Sequence, residues 1–139
     1  MKFKTLLIVA CFSLASNAFA ENHRYVHPKA AEGKQAAQTI SPGYCEIELV
    51  NQSYDDVRVY GTYDDGSTMV PFTLDSYYSP YNRAYIDLFY YGYCHDGMNL
   101  FIEQYNGYRI YQGYTRVNTT LRVVPPYLAN TLRVETQNK

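Results

Sequence analysis

The chain has 139 residues, 12 Lys plus Arg against 13 Asp plus Glu, and a formal net charge of −1. That length suits one domain with one sizeable core. The balance excludes the basic footprint of a nucleic-acid binder and argues against attraction to an anionic membrane surface.

The chain begins Met1-Lys2-Phe3-Lys4, runs through apolar residues from Thr5 to Leu14 and reaches Ala18-Phe19-Ala20. A positive start, a short apolar stretch and a small-x-small site predict a signal peptide over 1–20, cleaved after Ala20. The stretch falls short of the roughly 20 apolar residues that cross a bilayer, and no other segment approaches that length. No membrane span is expected. A lipoprotein box, Ile8-Val9-Ala10-Cys11, gives the alternative of an acylated Cys11. Its apolar stretch would be only about six residues, so cleavage after Ala20 is preferred. The mature chain would be exported, periplasmic or secreted. It loses Lys2 and Lys4, keeping 119 residues and a net charge of −3.

Residues 21–43 contain Ala, Gln, Lys, Pro28, Gly33 and the stop Ser41-Pro42-Gly43. They read as a flexible leader, with one or two helical turns around Lys29 to Ala37. Cleavage after Ala20 makes Glu21 the first residue. Its free amine, the following amides and the imidazole at position three would form a square-planar nitrogen set over Glu21, Asn22 and His23, the geometry that Cu(II) prefers. His27 would be a further ligand. Chance placement of a histidine is the simpler account of the pattern.

The body, 44–139, reads as a single domain. Cys45, Ile47 and Leu49 alternate with Glu46 and Glu48, and Val57 and Val59 with Arg58 and Tyr60. Period two marks half-buried strands. Asp64-Asp65-Gly66 turns the chain into Thr68, Val70 and Phe72. Ile86 and Leu88 alternate with Tyr85, Asp87 and Phe89. Asp96-Gly97 and Asn106-Gly107 are hairpin signals, so 84–114 should be a three-stranded meander. Two more strands, around Leu121 and Leu132, flank Pro125-Pro126. About eight strands without a helix predict an antiparallel β-sandwich, with a small β-barrel as the alternative.

Cys45 and Cys94 remain after export and share the apolar phase of their strands, so one disulfide is expected. Residues 44–100 sum to a charge of −7 and 101–139 to +3. The two halves are expected to neutralise each other.

Seventeen tyrosines stand beside no tryptophan, and every cation between Lys34 and Lys139 is Arg. Tyr and Arg are enriched at interface cores, where Lys is depleted. Tyr is also a good strand former. Strand phase puts Tyr85, Phe89, Tyr91, Tyr93, Phe101, Tyr105 and Tyr111 on the outer face of the meander. The pattern favours a face covered, wholly or in part, by residues 75–83 or by the leader. Left open, it would be the binding patch.

No catalytic motif is present. His95-Asp96 reads as a turn, without a nucleophile or oxyanion glycines beside it. The Asp pairs at 55–56 and 64–65 lack a calcium-loop pattern. The expected function is therefore an exported interaction module without catalysis, binding an unknown protein through a Tyr/Arg-rich surface. A carbohydrate-binding module using exposed Tyr is the alternative.

Overall fold

The computed structural model describes residues 23–27, 44–126 and 132–139. The signal segment, Cys11, Glu21, Asn22 and the helical turn near Lys29 lie outside them. Eleven short strands form, and no helix is present among the described residues. One sheet runs β1 (His23–Tyr25), β5 (Arg83–Asp87), β2 (Glu46–Asn51), β10 (Thr119–Val124), β11 (Arg133–Asn138). The other runs β4 (Phe72–Leu74), β3 (Val57–Tyr63), β8 (Gly97–Gln104), β9 (Arg109–Arg116). A hairpin of β6 (Phe89–Tyr90) and β7 (Tyr93–Cys94) stands apart. Neither sheet closes on itself, so the fold is a sandwich and not a barrel.

Period two selected most of the inward residues, but Val70, expected in a strand with Thr68 and Phe72, is exposed, and Leu74 and Ala84 join the core unannounced. Ile47, Leu49, Ala84, Ile86, Leu121 and Val123 face Val57, Val59, Leu74, Met98, Leu100 and Ile102 across one buried cluster. Each such aliphatic side chain contributes about 1.5–3 kcal/mol on leaving water. Gly61 has a packing role in β3, because a Cβ there would lie 2.5 Å from the Asn99 carbonyl oxygen. The disulfide forms between Cys45 and Cys94, with Cα atoms 5.6 Å apart. It ties the residue before β2 to the β6–β7 hairpin.

Three expectations change. First, the five-stranded sheet is mixed: β1 pairs with β5 and β10 with β2 in parallel. The chain crosses between sheets at the Val117–Asn118 turn, so β10 enters beside β2 in the same direction.

Second, the meander over 84–114 does not exist. Ala84 to Asp87 stay beside β2, while β8 and β9 belong to the opposite sheet. The Asp96-Gly97 signal misleads because Gly97 serves close packing. A Cβ on it would lie 2.4 Å from the Thr115 carbonyl oxygen. The tight turn falls instead at Tyr91 and Gly92, with φ of 54° and 84°, the two positive values that a type I′ hairpin needs. Asn106-Gly107 does join β8 to β9, with Gly107 at φ 82°.

Third, residues 23–27 of the expected leader are docked. They form the edge strand β1, and Tyr25 stacks on Phe72 with ring centroids 3.7 Å apart. His27 is buried.

The outward side of β2 is buried too, and it is charged. Glu48 accepts from the Arg83 guanidinium, the Thr120 hydroxyl and the Lys139 ammonium, each at 2.9 Å. Lys139 thus joins the basic second half to the acidic first. Burial alone would raise the Glu48 pKa, but Lys139, Thr120 and Arg83 outweigh it and hold it below the ordinary 4.5. A carboxyl depressed in the folded state contributes stability above its unfolded pKa and loses it on acidification. We therefore expect Glu48→Gln to cost about 2 kcal/mol at neutral pH. It should also flatten the acid limb of stability from about pH 5 downward. Urea titrations at several pH values measure both effects.

Candidate functional site: a tyrosine-bearing loop end

Three connections leave the sandwich at one end. Residues 52–56 follow β2, residues 75–82 follow β4 and residues 105–108 join β8 to β9. Strand register puts them together, since Val57 pairs with Leu74 on one side and with Gln104 on the other. Their residues are Tyr, Ser, Asn, Gln, Asp, Gly and Pro, without Lys or Arg. Six of the ten exposed tyrosines among the described residues stand here: Tyr54, Tyr77, Tyr78, Tyr81, Tyr105 and Tyr108.

Short polar side chains hold these loops from within. The buried Asn51 amide donates to the Asp55 and Leu74 carbonyls at 2.9 and 3.1 Å. Its oxygen accepts from the Ser53 backbone and hydroxyl. The second loop is tied to the first, as the Tyr77 N–H donates to the Ser53 carbonyl at 2.8 Å and the Ser76 N–H to Asp56 at 2.7 Å. Ser79 donates to Asp75 at 2.7 Å. In the third loop the Asn106 oxygen accepts from the Tyr108 N–H at 2.9 Å. With the backbone anchored this way, the rings project outward. Tyr54 stacks on Tyr78 at 5.7 Å, and Tyr77 meets Tyr78 edge-on at 5.8 Å. These separations are typical of favourable aromatic pairs.

The seven residues expected on one face are not brought together. Phe101 lies on the outer face of the four-stranded sheet, stacked on Tyr60 at 5.1 Å, with the Arg109 guanidinium 5.1 Å from its ring centre. Glu103 completes this row, accepting from the Tyr60 hydroxyl and from Arg109. Tyr105 is at the loop end. Tyr111 faces inward, because Ile110 is an extra residue where the register shifts and Tyr111 pairs with the buried Ile102. Tyr85 is on the other sheet, with Arg24 5.9 Å from its ring centre. Phe89 packs against the core, Tyr91 is in the hairpin turn at the opposite end and Tyr93 follows it.

The pattern missed Tyr54, Tyr77, Tyr78, Tyr81 and Tyr108. The signal they carried was composition, each lying in a run of turn residues.

That opposite end is structural. Tyr90 is sandwiched between His27 at 4.0 Å and His95 at 3.5 Å, and Tyr93 covers His95 at 4.2 Å. His27 meets the Ser67 hydroxyl at 2.6 Å and the Asp65 carboxylate at 3.0 Å. Hydrogen bonds from Ser67, then His27 and Tyr91, hold the Asp65 carboxyl well below the usual range. Burial, with Asp87 and Asp65 nearby, pushes the Tyr63 phenol up to about 12. His95, expected in a turn, is thus a stacked and buried ring.

Of the copper site, His23 and the further ligand His27 fall among the described residues: the His23 backbone in β1 pairs with Ala84 of β5, and His27 is buried. Among the described residues no three His, Cys, Asp or Glu side chains gather around one point, and no helix is long and apolar enough to cross a membrane.

The chain matches no family model and no curated protein.

Proposed function

We propose that this chain is an exported recognition module that binds a protein partner through its loop end. One observation carries the reading: most of the exposed tyrosines gather on three loops at one end of a sandwich, and polar bonds from within fix those loops. Tyr supplies large amphipathic contact area at small entropic cost, while Ser and Asn supply adaptable hydrogen bonds. That is the composition of antibody paratopes. The loops carry three aspartates and no cation, so the partner surface is neutral or basic. Export is supported by the signal-like start and by the disulfide, which persists in an oxidising compartment. The periplasm or the medium is the expected location, with acylation at Cys11 the alternative.

The test uses the immobilised mature chain and an envelope extract. We expect a captured protein to bind at least tenfold more weakly to the Tyr54→Ala/Tyr78→Ala double variant, given the weight of buried Tyr anchors. A Phe101→Ala control on the outer sheet face should keep its capture. Equal capture by the double variant would overturn the reading. Both rings are largely exposed, at 64% and 77%, so the fold should persist.

A further inference from the structure

We propose that Tyr105 is the platform of a separate glycan subsite that takes a neutral sugar. This goes beyond the protein-binding reading: it assigns a second ligand to one edge of the same loop end, at Tyr105 rather than at Tyr54 and Tyr78. Tyr105 is 71% exposed. Its hydroxyl lies 3.2 Å from the Thr73 hydroxyl of β4, a long contact, so the ring face and not the hydroxyl is what the site offers. The ring stands between two clefts. One, of about 450 Å³, is lined by Arg58, Phe72, Thr73, Glu103 and Gln104. The other, of about 300 Å³, is lined by Asp55, Asp56, Gln104 and Asn106. Both are half open to solvent.

The lining chemistry selects the ligand class. A pyranose presents a face of C–H bonds, slightly positive, that suits the negative face of an aromatic ring. Its rim carries vicinal hydroxyls, each both donor and acceptor. Carboxylates accept from two such hydroxyls at once, amides pair with either role and a guanidinium donates. All three group types flank this ring. Arg58 and Glu103 cancel in the larger cleft, while Asp55 and Asp56 leave the smaller one net negative. That field disfavours sialylated and uronate sugars.

The experiment is a glycan array carrying neutral, sialylated and uronate-containing oligosaccharides, probed with the full mature chain and followed by calorimetry with the best neutral glycan. We expect neutral glycans to bind. Tyr105→Ala should weaken binding at least tenfold, while Tyr105→Phe, which keeps the ring, stays within threefold. An unchanged melting temperature for both variants separates binding from folding. The proposal is overturned if no glycan binds, if only acidic glycans bind, if Tyr105→Ala binds as the parent does, or if Tyr105→Phe loses binding as fully as Tyr105→Ala. Protein capture through Tyr54 and Tyr78 is read in a different assay, so either proposal is able to fail alone.

Discussion

Tyr90→Ala is expected to destabilise the domain by about 4 kcal/mol, the range for large aromatic rings cut from a core. Tyr90 has no exposed surface and sits between the faces of His27 and His95. Tyr63 and Tyr91 approach its edge at 5.6 and 5.5 Å. Removing the ring leaves both imidazoles facing a cavity too tightly lined to collapse. For a domain of this size the melting temperature should fall by roughly 15 °C. The effect should spread to β1, since His27 is the buried end of that segment. Hydrogen exchange at Arg24 and Tyr25 should rise more than exchange at Leu100. Tyr90→Phe keeps the stack and should stay within about 1 kcal/mol of the parent. If Tyr90→Ala unfolds no more easily than Tyr90→Phe, the ring stack is not what holds the leader strand down.

Opening the disulfide should cost a similar amount. The bond closes a span of 49 residues, which on the loop-entropy account gives about 4 kcal/mol, an upper figure. The local geometry acts in the other direction. Cys45 has φ 61°, a left-handed backbone that a non-glycine residue adopts at a cost of about 1–3 kcal/mol. Any relaxation of this backbone on opening the bond offsets part of the loss, while the bond to Cys94 ties β2 to the hairpin that carries Tyr90. Cys45→Ser/Cys94→Ser, or the parent in reductant, should therefore shift the urea midpoint down and steepen the slope, since the uncrosslinked unfolded chain exposes more surface. A variant as stable as the parent would show that the core alone sets the stability.

The all-β class, most of the inward residues and the disulfide were legible because each rests on a local pattern. Alternation around Ile47, Ile86 and Leu100 needs only period two, and two cysteines in apolar phase have few other uses. What failed needed knowledge of neighbours. Asp96-Gly97 looked like a turn because a glycine demanded by a positive φ and one demanded by the Thr115 backbone have the same letter. Tyr111 was put outside because an extra residue, Ile110, reverses phase silently. His-Arg-Tyr-Val-His at 23–27 has no periodicity of its own. Its strand exists only because the β5 edge and the Tyr63–Tyr90 pocket receive it.

The loop end was hidden for the same reason. Residues 52–56, 75–82 and 105–108 are far apart in the chain, and only the pairing of Val57 with both Leu74 and Gln104 brings them together. Of the seven expected patch residues, Tyr105 alone belongs to it. The loop end carries no arginine, although the composition suggested a Tyr/Arg-rich surface; Arg83 stands on Glu48 and Arg109 on Glu103.

The central claim is that binding occurs at this end, and tyrosine nitration read by peptide mass spectrometry tests it most directly. The mature chain is treated alone and again with the captured envelope protein. Alone, Tyr54, Tyr77, Tyr78 and Tyr105 should be modified, while Tyr63 and Tyr90 stay protected. With the partner present, Tyr54, Tyr77 and Tyr78 should become protected, and Tyr91, Tyr93 and Tyr114 at the far end should react as before. Protection confined to Tyr91, Tyr93 and Tyr114 would contradict the account and move the binding surface to the opposite end of the sandwich.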